Sequence, residues 1–292
     1  MTLLERGVEL HGYVIRRIVD AGGMCNVYEA LTGESKTVAI KAMHHVWALD
    51  EKHRQRFLNE VHLLKTLRHA HLVEAFEHGE LPSGEPYMVL EWLPHSLQSV
   101  FDARKTAWNP AVVLRLSEQL AQVLVYLHEQ NIVHRDIKAA NVLLDRADVT
   151  LAHVKLADLG LAKVAPELRS LAGMNISTGG QSRLGTWDCM APEQWVRSKD
   201  VDAKADVYSL GVLMLLMLSG ELPFVADDAK NLMRMHVFVD APMERLQGKA
   251  PRGLLHLVGR MLKKDPKERL YMAEVAERIG ILQATFGVER IR

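Results

Sequence analysis

His134-Arg135-Asp136-Ile137-Lys138-Ala139-Ala140-Asn141 runs directly into the apolar Val142-Leu143-Leu144. One short loop thus carries a carboxylate, an ammonium and an amide oxygen. A carboxylate can take a proton from a hydroxyl. An ammonium can neutralise a phosphate, and an amide oxygen can hold Mg²⁺. Together they are the equipment for moving a phosphoryl group onto an alcohol, and the rest of the chain should supply the missing parts.

The chain has 292 residues, 48% of them hydrophobic, enough for a large core in one large domain or two smaller ones. Basic and acidic residues number 36 each, so no charge excess supports broad nucleic-acid binding or a polybasic membrane anchor. Cys25 and Cys189 are far apart, which points to a reducing compartment and a cytoplasmic location rather than a disulfide scaffold. The first residues lack a cleavable apolar signal. The longest apolar run, Leu210 to Leu218, falls short of the roughly 20 residues needed to span a bilayer and reads as a buried core helix. Membrane tethering would need a segment outside this chain.

There is no repeat and no low-complexity tract. The first ninety or so residues read as β-rich with one helix. Tyr13-Val19, Val27-Leu31, Thr37-Ala42, Leu72-His78 and Tyr87-Glu91 have strand composition, punctuated by Gly22-Gly23, Gly33-Glu34 and Pro82-Ser83-Gly84. From Asp50 to Leu67, Phe57, Val61 and Leu64 fall on one helical stripe. After Pro94 the pattern turns helical, with Pro110-Glu129, Ala205-Ser219 and most of the chain from Arg252 onward. A small β-rich half followed by a larger helical half is an α+β arrangement in two lobes. The change falls at Glu91-Pro94, and a ligand site is expected in the cleft beneath it.

Val38-Ala39-Ile40-Lys41 is a strand ending in lysine. Glu60 lies on the apolar side of its helix, between Phe57 and Leu64, where a carboxylate is costly without a cation. A Lys41–Glu60 pair accounts for both and would hold Lys41 for the phosphates of a nucleotide. Asp20-Ala21-Gly22-Gly23-Met24-Cys25-Asn26-Val27 joins two strands, and adjacent glycines let backbone N–H groups approach phosphate oxygens. Asp158-Leu159-Gly160 follows the strand Val154-Lys155-Leu156 and offers a carboxylate to Mg²⁺. From Asp158 to Glu193 the composition is polar and small, with Ser170, Ser177, Thr178, Gly179, Gly180, Ser182, Gly185 and Thr186. A loop this long in a compact domain commonly has a function. It ends in Ala191-Pro192-Glu193, where Glu193 is expected to pair with Arg269 and brace the segment.

These motifs, in this order, resemble the eukaryotic-like Ser/Thr protein kinases of bacteria over about residues 10–280. The resemblance implies a bilobal protein-kinase fold as a single domain over residues 1–292. The N-lobe would take about residues 1–91, the hinge about 91–94 and the C-lobe about 95–292. It implies Mg²⁺-ATP as donor, with Mn²⁺ as an alternative metal, and protein serines or threonines as acceptors. Lys41 matches the strand lysine on the α/β-phosphates and Glu60 its helix partner. Asp136 matches the residue that orients the substrate hydroxyl, Lys138 the γ-phosphate contact, and Asn141 and Asp158 the metal ligands. Val19, Gly22 and Gly23 would cover the nucleotide. Val27, Ala39 and Leu143 would sandwich adenine, with Leu90 as gatekeeper and Glu91 to Leu93 as the hinge. Asp206 would hold the backbone of the catalytic loop. Lys138 and Thr186 favour Ser/Thr over Tyr acceptors, Thr186 as part of the substrate-docking surface.

Arg135 beside Asp136 implies control by a phosphate on the polar segment, with Lys163 as second basic partner and Ser177, Thr178 and Ser182 as acceptors. Autophosphorylation in trans within a homodimer would supply it. Of the family's three loop glycines only the middle one stands here, as Gly22; Asp20 and Cys25 occupy the other positions, and their effect is on ATP affinity and loop geometry. Leu159 replaces a more familiar Phe, and Cys189 stands where an aromatic is common. A pseudokinase acting as a nucleotide-binding scaffold is the alternative, resting on Asp20 and Cys25 alone. A small-molecule phosphotransferase of related fold has no need of the Ala-Pro-Glu segment or the long loop before it.

Overall fold

The computed structural model describes residues 4–159, 187–196 and 201–289. The chain divides into two compact units, residues 1–94 and 95–292.

The first unit is an antiparallel sheet of β1 (Glu9–Leu10), β2 (Tyr13–Ala21), β3 (Cys25–Leu31), β4 (Thr37–Met43), β5 (Ala75–Glu80) and β6 (Pro86–Glu91), in the order β1-β2-β3-β4-β6-β5. Strict alternation puts Tyr28, Ala30, Val38, Ile40, Ala42, Tyr87 and Val89 into one apolar cluster with Leu10 and Ile15. The register Val27↔Lys41↔Met88 and Glu29↔Ala39↔Leu90 therefore places Val27, Ala39, Lys41 and Leu90 on the other face. After α1 (His45–Ala48) comes α2 (Glu51–Thr66). Asp50 caps α2, its carboxylate accepting the N–H of Lys52 at 2.9 Å and of His53 at 3.3 Å. Phe57, Glu60, Val61 and Leu64 form its buried stripe. Leu72 and Val73 are buried but lie before the strand, which starts at Ala75 rather than Leu72. Burial without ladder pairing explains the shift from the sequence reading.

The second unit opens with β7 (His95–Ser96) and α3 (Leu97–Arg104), a helix the sequence reading missed although Ser96 and Ser99 form a reciprocal capping box. Next is α4 (Pro110–Glu129), capped by Asn109 with Pro110 at its first position. Strands β8 (Val142–Leu144) and β9 (Val154–Leu156) form a hairpin, and β7 adds to β8. Then follow α5 (Pro192–Val196), α6 (Lys204–Ser219), α7 (Ala229–Phe238), α8 (Arg252–Met261) and α9 (Met272–Glu289). Every residue of α6 is buried, as an all-round apolar helix must be. Its Gly211 is required: an added Cβ would meet the Cβ of Met261 on α8 at 2.9 Å. Among the described residues no helix is long and apolar enough to cross a membrane.

Candidate active site

In the first unit, Lys41 reaches from β4 to α2. Its Nζ donates to both carboxylate oxygens of Glu60, at 2.8 and 3.0 Å. Glu60 is 4% exposed and Lys41 14%, so a charge that would be costly alone is matched by a two-point ion pair. The β2–β3 turn carries Gly22 and Gly23. The Gly22 N–H donates to the Cys25 carbonyl at 3.1 Å, and a Cβ on Gly22 would come within 3.0 Å of that oxygen. Gly23 has nothing within 4 Å of an added Cβ. Val19 is exposed and sits at an irregularity in the β2–β3 ladder. Leu90 and Leu93 are half-buried. The Glu91 N–H donates to the Glu74 carbonyl at 3.0 Å, and the Glu91 carboxylate accepts the Glu74 N–H at 2.8 Å, which fixes the end of β6.

In the second unit the loop before β8 is built around Asp136. Lys138 Nζ donates to Asp136 Oδ2 at 2.8 Å. Asn141 Nδ2 donates to the Asp136 carbonyl at 2.8 Å and to Oδ2 at 3.0 Å. Burial holds the Asp136 carboxyl above the usual carboxylate range; the Lys138 ammonium opposes that rise and the Asp158 charge adds to it. The Ala157 N–H donates to the Asn141 carbonyl at 2.9 Å, tying the far end of the hairpin to the loop. Asp158 follows directly, and Leu143 lies on β8 between the buried Val142 and Leu144. Val154 N–H, at the start of β9, is held by Gln119 Oε1 of α4 at 2.9 Å.

The loop backbone hangs from α6. The wholly buried Asp206 accepts the N–H of His134 and of Arg135, each at 2.9 Å, and His128 Nε2 donates to it at 2.8 Å. His134 Nε2 donates to the Ala157 carbonyl at 3.1 Å, and its Nδ1 accepts the Asp136 N–H at 3.3 Å. These bonds hold Arg135 at φ +67°, while Asp158 stands at φ +69°. Left-handed backbone at residues other than glycine costs about 1–3 kcal/mol and persists where its surroundings enforce it. Both sit beside the proposed chemistry.

Arg135 Nη2 donates to the Val201 carbonyl at 2.9 Å, and its Nε is buried without a partner among the described residues. Burial lowers the pKa of its guanidinium. Lys163, Ser170, Ser177, Thr178, Ser182 and Thr186 lie outside the described residues. Glu193 binds Arg269 through two parallel bonds of 2.6 and 2.8 Å. Arg269 also donates to the carbonyls of Lys263, Lys204 and Lys264. Neither Cys25 nor Cys189 is in a disulfide; Cys189 is buried, and burial raises its pKa.

The sequence reading missed Gln194. It is buried, donates to the Arg135 carbonyl at 2.9 Å and accepts the Ala191 N–H at 3.0 Å, joining the Ala-Pro-Glu segment to the loop. Its bond to Ala191 spans three residues, but its bond to Arg135 spans 59 and only the tertiary structure supplies it.

Two units with this strand order and this loop define a kinase-type phosphotransferase fold. Residues 13–278 match the protein kinase domain family, and the chain belongs to that family as a bacterial, eukaryotic-like Ser/Thr protein kinase domain. It is similar to the serine/threonine-protein kinase PrkC of Bacillus subtilis, 28% identical over 96% of this chain and 41% of the relative. It is similar also to the serine/threonine-protein kinase pkn2 of Myxococcus xanthus, 34% identical over 87% of this chain and 30% of that relative. The chain thus spans less than half the length of these curated relatives. The solved kinase domain of Mycobacterium tuberculosis PknI, a double mutant, shares the fold with a TM-score of 0.68 at 24% identity, over 97% of this chain and 100% of that one.

Proposed function

We propose that the chain transfers the γ-phosphoryl of Mg²⁺-ATP to serine or threonine hydroxyls of proteins. The observation that carries the reading is the Asp136 carboxylate, buried between the Lys138 ammonium and the Asn141 amide on a loop hung from Asp206. Asp136 would orient the acceptor hydroxyl and take its proton; a pKa raised by burial makes it a better base. Lys138 would meet the γ-phosphate, and Lys41, held by Glu60, the α/β-phosphates.

The oxygen donors fit a hard dication. Asn141 Nδ2 donates to two oxygens of Asp136, which leaves its Oδ1 as the candidate ligand, and Asp158 would add a carboxylate. Among the described residues no cluster of three or more His, Cys, Asp or Glu side chains forms a metal site. Mg²⁺ held by one or two protein oxygens plus phosphates requires none. The metal, Mg²⁺ or its stand-in Mn²⁺, would neutralise phosphate charge when bound.

Val19, Gly22, Gly23, Val27, Ala39, Leu90, Glu91, Leu93 and Leu143 are proposed for the nucleotide, and Thr186 for substrate docking. Asp206, Glu193 and Arg269 would be structural. Autophosphorylation at Ser177, Thr178 or Ser182, in trans within a homodimer, would engage Arg135 and Lys163. The buried Arg135 Nε–H without a partner among the described residues favours such an anion. Two cysteines outside any disulfide favour a reducing, cytoplasmic setting.

The test is incubation of purified protein with labelled Mg²⁺-ATP and a generic basic protein, beside Lys41→Met and Asp158→Asn. Transfer by the wild type alone is expected. Nucleotide binding without transfer would replace the kinase reading with a scaffold. Mapping the label tests the segment; label solely outside residues 158–193 would remove Ser177, Thr178 and Ser182 as switches.

A further inference from the structure

The β2–β3 turn is fastened to the chain that follows β4. The indole Nε1–H of Trp47, on α1, donates to the Gly23 carbonyl at 2.8 Å. The His44 N–H donates to the Met24 carbonyl at 2.9 Å. The His44 ring reinforces this, its Nε2 lying 2.9 Å from Asn26 Oδ1, while Asn26 Nδ2 donates to the Tyr28 hydroxyl at 3.1 Å. Trp47 is itself placed. Its N–H donates to the His44 carbonyl at 3.0 Å, and its ring leans on His53 of α2 at 4.5 Å between centroids.

A trans peptide is planar, so its C=O and N–H point in opposite directions. Drawing the Gly23 carbonyl toward α1 aims the Met24 N–H away from it. A fixed backbone amide beside two adjacent glycines is suited to approach a phosphate oxygen. In this turn Gly22 and Gly23 keep glycine's freedom while Asp20 and Cys25 do not, so an external fastening substitutes for a turn that shapes itself around the ligand. Binding to a pre-set turn also avoids the entropy of ordering it.

We infer that Trp47 is a positioning residue for the phosphates of the bound nucleotide, acting through its hydrogen bond to the Gly23 carbonyl; this rests on the nucleotide reading above. The experiment is calorimetric titration of the full chain with two probes, the non-hydrolysable ATP analogue AMP-PNP with Mg²⁺, and adenosine. Trp47→Phe keeps a ring against His53 and removes the donor. Its AMP-PNP affinity should fall about five- to tenfold, the scale of one lost hydrogen bond, with adenosine affinity unchanged. His53→Ala, which removes the ring Trp47 leans on, should shift AMP-PNP in the same direction and leave adenosine alone. Equal affinities for wild type and variants, or a parallel loss for both probes, would overturn the inference. A wild type that binds neither probe would instead overturn the nucleotide reading itself.

Discussion

The carboxylate of Asp206 accepts the backbone N–H of Arg135 at 2.9 Å, one residue before Asp136. A helix that is buried along its whole length thereby fixes the backbone of the candidate catalytic loop. The second carboxylate oxygen takes the His134 N–H and the His128 ring N–H, so both oxygens of Asp206 are engaged. Asp206→Asn would turn an amide N–H toward groups that are themselves donors. We expect a loss of about 2–4 kcal/mol in stability, read from the denaturant midpoint. Phosphoryl transfer should fall with it, since Arg135 then loses the bond that keeps it in left-handed backbone.

Asp136 should show activity and stability pulling apart. Its pKa is raised chiefly by burial, so its ionised form opposes folding. The sign follows: protonation in the native state is favoured, so stability is greatest below the ordinary carboxylate pKa and declines as pH rises through the folded value. Asp136→Asn removes that charge while keeping the shape. Transfer should drop about 10²–10⁴-fold. The melting temperature at neutral pH should rise by about a few degrees, measured by calorimetry.

Lys41→Met leaves the Glu60 carboxylate, 4% exposed, without its cation. A broken buried pair costs about 3–5 kcal/mol. The double variant Lys41→Met/Glu60→Leu removes both charges and should recover most of that stability without recovering transfer. A double-mutant cycle on unfolding free energy, beside an activity assay, separates the two effects.

His236 is fully buried, with the Tyr208 hydroxyl 2.9 Å from its Nδ1. Burial, and next the Lys264 ammonium, depress its pKa from 6.5 to about 3. The unfolded chain therefore binds a proton that the native state refuses between those values. Its contribution to stability is intact above about pH 6.5 and is lost as pH falls toward 3, with a slope of up to about 1.4 kcal/mol per pH unit. Stability measured by urea unfolding across that window should fall in the wild type, and the slope should be shallower in His236→Gln.

Sequence alone determines the parts whose information is local. The strand composition of β3 and β4, the Phe57-Val61-Leu64 stripe of α2, the start of α4 at Pro110 and the apolar Leu210–Leu218 run are legible in residue type and spacing. The loop chemistry of Asp136, Lys138 and Asn141 is local in the same way, because three functional groups fall within six residues of chain. Short elements escape this reading. The four-residue α1 is too brief to show a period, and α7 is announced by little beyond its cap, Asp228, which accepts the Asn231 N–H at 2.8 Å.

Tertiary structure alone decides how distant groups meet. Asp206 and His134 are 72 residues apart, and Gln194 and Arg135 are 59 apart. Trp47 finds the Gly23 carbonyl only because β3 and β4 pair in a register that brings His44 beside Met24. The physical reason is that a side chain's type fixes what it can bind, while burial and chain closure fix which partner it reaches. A carboxylate in sequence is a charge of ordinary strength. Buried beneath a loop whose N–H groups need acceptors, the same carboxylate sets the backbone on which the proposed phosphoryl transfer depends.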